Sequence, residues 1–412
     1  MSRKLFGSRR ILPYVLSLVL GSCNASPGQD ERTTGVILTS SDSIWPEVVE
    51  MPLETPERVY PSDVASGVQL SRVTEARLLS DEGIVLVDRD RSQLIMYDSV
   101  GQVQHVLGGP GAGPGEFRLL SSLSVLPSDT VVVYDSSNRR ITRFSPPYYE
   151  ASTQPLPDGL FGTTPVSVWQ LPDGSWMTYE SDLDAYEVLA RSPEADLVGT
   201  KAVLLRAAPE TYETDTLVAD LIGSEGIRVG NMFLTPAFGR STDIDVLGHT
   251  VAIAMPDGFE VRVFDGARLR HIASMPDAQS PLSRAEVRDL RDSTRAAAAE
   301  AGQAFIGRPM FTPELQPEMR PSFAHIVTSK AGRSLLREFA PPGRRAESWW
   351  LLQPNGRFEG KLRLPVDATV LEVGPSHLLA LRRDSLDIPR VELHKVAWDS
   401  LAFATPGSGM GN

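Results

Sequence analysis

The chain repeats itself. VLVDRDRSQLIMYDSVG begins at Val85 and VVYDSSNRRITRFSPPY at Val132, and the pairs Asp88/Asp135, Leu94/Ile141 and Tyr97/Phe144 each fall 47 residues apart. A weaker copy, VAIAMPDGFEVRVFDG, begins at Val251, with Phe264 and Asp265 in the places of Tyr97 and Asp98 and Met255 in place of the first Asp. Each copy joins two short runs of β-formers through a tight polar turn, the pattern of paired strands. A unit of about this length holds four short strands that cannot bury both faces alone, so copies must stack against one another. The repeat therefore predicts an all-β propeller. Setting aside the helical insertion at 276–322 leaves 313 of residues 41–400. That is roughly 52 residues per blade for six blades and roughly 45 for seven, and both are feasible.

The insertion contains the one clear helix. Ser283-Arg-Ala-Glu286 fits a capping box, Ala296–Ala299 has high helix propensity, and Gly302 is a natural stop. Val287, Leu290, Ala297, Ala298 and Ala301 fall roughly on one side of it.

The N-terminus reads as an export signal over residues 1–22. Arg3, Lys4, Arg9 and Arg10 precede a largely apolar run, Ile11–Leu20, too short to span a bilayer as a helix. Leu20-Gly21-Ser22-Cys23 follows and resembles the lipobox of bacterial lipoproteins. There the small residues admit the signal peptidase, and the Cys23 sulfur takes the lipid. Cys23 is the only cysteine, so the chain makes no internal disulfide. Ser8-Arg-Arg-Ile-Leu12 hints at a twin-arginine signal, but Pro13 breaks that pattern and the general secretory route fits better. Residues 23–40 are expected to be a flexible tether, 41–400 the propeller and 401–412 a flexible tail. Trp45–Glu50 is expected to pair with the last blade and close the ring.

LGGPGAGPGEF (Leu107–Phe117), followed by TVVVYDSSNRRITRFS (Thr130–Ser145), resembles the NHL-repeat family. Asp135, Asn138, Arg140, Ile141 and Phe144 carry the match. The Asp88 copy departs from it, with Arg91 in place of Asn and Gln93 in place of Arg. The last third, from about Ala324 to Val396, looks like the closing blades of bacterial six-bladed propeller lipoproteins. It has the aromatic pair Trp349-Trp350, the Pro354-Asn-Gly turn and the Arg382-Arg-Asp segment. That resemblance implies six blades and a place in the cell envelope, facing the periplasm or the exterior. It implies no activity.

Standard chemistry finds little footing. The formal charge of −12, which deepens to −16 once the signal is removed, offers nucleic acid no basic face. Gly108–Gly115 lacks the Gly-Lys-Ser/Thr of a phosphate loop and runs into Glu116-Phe117; it reads as an inter-blade connector. Asp88-Arg-Asp90-Arg-Ser92 alternates oxygens like a calcium loop, but has Gln93 at the sixth position and Ser99 at the twelfth. Asp182/Asp184 and Asp243/Asp245 are weaker versions of that pattern. His105, His249, His271, His325, His377 and His394 show no metal-ligand spacing. No residue is assigned a catalytic, cofactor-binding or metal-ligating role, and no cofactor is expected. Asp88, Asp135, Asn138 and Arg140 are read as holding the repeat together, with ligand contact the rival reading. Trp349 and Trp350, adjacent on a strand, point to opposite faces, so core packing is expected for at least one.

The sequence thus favours a lipid-anchored binding or scaffold protein for a protein, peptide or glycan partner. The alternative is a channel-mouth propeller enzyme, lactonase-like or lyase-like, with Asp, Asn or His converging on the channel. A docking subunit for a transporter is a third option, and the oligomeric state is open. Replacing Cys23 with Ser should move the protein from the membrane to the soluble fraction of a cell lysate; retention in the membrane would show the anchor assignment to be wrong.

Overall fold

The computed structural model describes residues 36–39, 48–53, 55–61, 67–156, 165–181, 196–229, 232–302, 308–343, 348–384 and 386–401. The signal, Cys23, Trp45, Asp182 and Asp184 lie outside them, as does nearly all of the expected tail.

Six sheets of four or five strands follow one another round a ring. Blade 1 runs over 73–108, blade 2 over 120–155, blade 3 over 165–234, blade 4 over 243–274, blade 5 over 323–363 and blade 6 over 369–395. The first strand of each blade lies innermost, and those of blades 1 and 2, 2 and 3, 4 and 5, 5 and 6, and 6 and 1 lie against one another. Alternation gives every blade two apolar faces, and an apolar cluster fills each of the six interfaces between consecutive blades. Trp349 packs with Val370 between blades 5 and 6, while Trp350 packs with Phe259 and Ala252 between blades 4 and 5. Both indoles are fully buried, so both are core.

Three N-terminal strands bind the outer rim, and here the structure corrects two sequence expectations. Val36–Thr39, inside the expected tether, runs parallel to the outer strand Arg268–Ser274 of blade 4. Val48–Glu50 pairs with blade 5 rather than the last blade, running parallel to Phe358–Arg363. Closure falls instead to Arg58–Tyr60, antiparallel to Pro389–Lys395 of blade 6, with Tyr60 opposite Val391. The reason lies in strand supply. Blade 6 has three strands of its own and an open outer place, whereas blade 5 already has four.

The 47-residue repeat is visible in the backbone. Positive φ recurs at Glu82 and Asp129, and again at Ser92 and Arg139. The fully buried Asp88 accepts from the Ser71 and Arg72 amides; Asp135 does the same from Arg118 and Leu119. Each carboxylate thus ties a blade's second strand to the segment leading into its first. Asn138 donates to Asp135 and to the Gly111 carbonyl, and Arg140 donates to the carbonyls of Ala112, Gly113 and Glu116. These two side chains hold the Gly/Pro-rich connector. The connector turns beside Phe117 at Gly108, whose φ of 92° leaves no room for a Cβ: one would sit 2.5 Å from the Phe117 ring.

Helix α1 (Arg284–Glu300) lies in the connection between blades 4 and 5. Ser283 caps it by accepting from the Glu286 amide, but the Glu286 carboxylate pairs with Arg320 instead of reaching back to close the box. Val287 and Leu290 pack on Ala237, Phe238 and Phe311. Of the five apolar residues read on one side of the helix, only Val287 and Leu290, in its first half, are buried; Ala297, Ala298 and Ala301 are not.

Asp135→Ala leaves the Arg118, Leu119 and Asn138 donors without their buried acceptor. Its expected cost is on the order of 3 kcal/mol in urea unfolding, with Asp88→Ala behaving alike.

Candidate functional site

An innermost strand has a neighbour on one side only, so its channel-side amides need other acceptors. Side-chain oxygens of the preceding blade supply them. Ser122 and Ser124 of blade 2 accept from Val168 and Gln170 of blade 3. Asp243 and Asp245 of blade 4 accept from Ile326 and Thr328 of blade 5, each at 2.7 Å. Glu372 of blade 6 accepts from Leu78 of blade 1 at 2.9 Å.

One cation crosses this lining. Arg77, on the blade 1 strand Val73–Leu78, donates to Asp245 of blade 4 at 2.7 Å and to the Leu371 carbonyl of blade 6 at 2.8 Å. Blades 1 and 4 stand opposite each other in a ring of six, so the pair bars the channel. Arg77 is only 4% exposed. Desolvation opposes its charge, but the carboxylates of Asp245, Glu75 and Glu372 outweigh that and raise its pKa.

Glu75 sits two residues before Arg77 on the same strand. Burial pushes its carboxyl up to about 7, against the pull of Arg77 and with the push of Asp245. Toward the end of the channel where the innermost strands begin, hereafter the entrance, His325 Nδ1 lies 2.9 Å from Asp243, and both side chains are about a third exposed. The remaining histidines are scattered. His105 stacks on Tyr149, His394 meets Glu392, His271 is buried in the outer strand of blade 4, and His249 lies in a turn; His377 stands 3.4 Å from Glu372. Among the described residues, no three His, Cys, Asp or Glu side chains converge as a metal site.

Sequence reasoning singled out Asp88, Asp135, Asn138 and Arg140, and the structure places all four in blades 1 and 2, on backbone groups and on one another. The channel set of Glu75, Arg77, Asp245 and Glu372 was missed as a set. In the sequence Asp243/Asp245 resembles a weak calcium loop, and His325 is one of six scattered histidines. A usable signal exists: charged residues at every second position of a strand that opens a blade, as in Val-Thr-Glu-Ala-Arg-Leu and Asp-Ile-Asp-Val-Leu.

A family comparison agrees with this architecture. A family model described as a 6-bladed beta-propeller matches residues 47–192. The chain is a six-bladed β-propeller. No curated protein matches it. Solved structures similar to this propeller include a Bacteroides fragilis protein described as exported, with 11% identity, a TM-score of 0.47, and coverage of 84% of this chain and 99% of that one. A gluconolactonase from Xanthomonas campestris matches with 13% identity, a TM-score of 0.41, and coverage of 83% and 100%. Virginiamycin B lyase from Staphylococcus aureus matches with 9% identity, a TM-score of 0.40, and coverage of 80% and 98%. No helix among the described residues is long and apolar enough to cross a membrane.

The position of Glu75 predicts a pH dependence. The unfolded carboxyl ionises near 4.5 and the folded one near 7. Between those values the folded state keeps a proton that the unfolded state has lost, so stability falls as pH rises from about 4.5 to about 7 and then levels off. Glu75→Gln should flatten that fall and gain on the order of 2 kcal/mol at pH 8, read from denaturation midpoints at pH 4, 6 and 8; parallel wild-type and variant curves would contradict it.

Proposed function

We propose that the protein is an extracytoplasmic binding module, held to a bacterial membrane by lipid on Cys23, that engages its ligand or partner with the entrance face of the propeller. The observation that carries this reading is the Arg77–Asp245 bar across the channel. A propeller enzyme of the lactonase or lyase kind needs channel groups free to meet substrate. In this chain Asp243, Asp245 and Glu372 are engaged by backbone amides, and Arg77 is closed on by two blades. The entrance face, by contrast, carries the helical insertion before blade 5 and the Gly/Pro-rich connector before blade 2. Irregular segments on a rigid ring are the usual place for recognition.

Ligand-shift melting of the full-length chain in detergent, against panels of peptides, glycans and small acids, tests the reading together with metal analysis of the same sample. A ligand that raises the melting temperature and is recovered unchanged supports a binding module; at 100 times its Kd it adds about 2.7 kcal/mol. Stoichiometric metal together with turnover of a lactone, or any ligand recovered as product, would overturn it in favour of an enzyme.

A further inference from the structure

A cleft of about 340 Å³ opens on the entrance face between blades 5 and 6, beside the channel mouth. Its lining includes Ala324, Arg337, Asp367, Ala368, Leu381 and Arg383. Arg337 sits on the blade 5 strand Ser334–Glu338. Alternation on that strand turns Leu336 toward blade 4 and Leu335 toward blade 6, and Arg337 continues the Leu335 side to its end. Arg337 lies opposite His325 on one neighbouring strand and Trp349 on the other. Its guanidinium stacks over the Trp349 ring, 5.9 Å from the centroid.

Every acidic side chain in the cleft already has a partner. Glu338 is held by Lys361, and Asp367 by Arg382 at 2.7 Å. The second cation of the lining, Arg383, is paired with Asp387. Arg337 differs: among the described residues its side chain makes no hydrogen bond and no ion pair, although it is partly buried and burial pulls its pKa down. Asp243 acts on it through space only. A guanidinium held by an aromatic face, short of water and without an acceptor keeps its planar fork of donors available.

We propose that this cleft binds a small organic carboxylate, with the carboxylate paired to Arg337 and an apolar body lying against the alanines and Leu381. Carboxylate geometry matches a guanidinium in two parallel hydrogen bonds. A monoanion fits better than a phosphate, because among the described residues one unpaired cation faces the neighbouring carboxylates of Glu338, Asp367 and Asp243. The volume, near the lower end of the ~300–1,000 Å³ usual for ligand pockets, sets the size of the body. This inference rests on the entrance face being the binding face, and it names the ligand class.

Titration calorimetry of the full-length chain in detergent tests it with benzoate, neutral benzamide and inorganic phosphate. Benzoate should bind one to one, more than about tenfold tighter than benzamide, since a charge-assisted pair is lost in the amide. Arg337→Met keeps the contact with Trp349 and should weaken benzoate by a similar factor while leaving the melting temperature unlowered. Arg337→Lys, which keeps the charge and loses the fork, should weaken it several-fold. Equal affinity for benzoate and benzamide, no benzoate binding at millimolar concentration, phosphate binding tighter than benzoate, or unchanged benzoate affinity in either variant would each overturn the proposal. Turnover of a lactone would sink the binding-module reading while leaving these affinities as they are, so the two failures are distinguishable.

Discussion

The ring depends on how its innermost strands satisfy an edge with no neighbouring strand. Elsewhere in each blade, backbone groups pair along the sheet, and apolar clusters glue the blades face to face. At the channel neither device is available. The chain answers with side-chain oxygens that reach from one blade to the amides of the next, and with one arginine that reaches across. Arg77 contacts blades 4 and 6, and Asp245 in turn accepts from blade 5, so two side chains from opposite walls bring four of the six blades into register. A buried ion pair of this kind is a weak net contributor to stability, because desolvation offsets much of its attraction. Its effect is on geometry: it fixes which blades face each other across the axis.

That arrangement explains how far the sequence could be read. Blades 1 and 2 were legible because their turns, their connector and their strand-end Asp are local features, and local features repeat at a fixed spacing. Trp349 and Trp350 could be sorted to opposite faces from alternation alone. The rim was misread because parallel pairing of a short N-terminal strand leaves no local trace; Val48–Glu50 reads the same whether it joins blade 5 or blade 6. The deciding fact, that blade 6 has three strands of its own, belongs to the whole ring. How deeply the C-terminal half of α1 is buried was not legible, for a related reason. Helix propensity is intrinsic, whereas which side is covered depends on what stands beside it, and among the described residues none buries Ala297 or Ala301.

The channel set was the least legible part. Glu75, Arg77, Asp245 and Glu372 come from three blades separated by more than a hundred residues, and each alone looks like an ordinary surface charge in a β-run. Only closure of the ring makes neighbours of them. The same holds for Arg337, whose separation from any described acceptor arises from how blades 5 and 6 meet. In a propeller, the strands announce themselves through spacing, but the polar chemistry is assembled by topology.

The N-terminal strap also orders events in time. Arg58–Tyr60 pairs with Pro389–Lys395 and Val36–Thr39 with Arg268–Ser274, so neither strand can dock before its partner has been made. The segment made first is therefore among the last to dock. Until these strands dock, the outer edges of blades 4, 5 and 6 stand open, each a template for pairing with another chain. The ring closes late, through contacts between residues more than three hundred positions apart, and contacts of such separation make for slow folding. For this chain the hazardous interval is the wait for its own beginning to return.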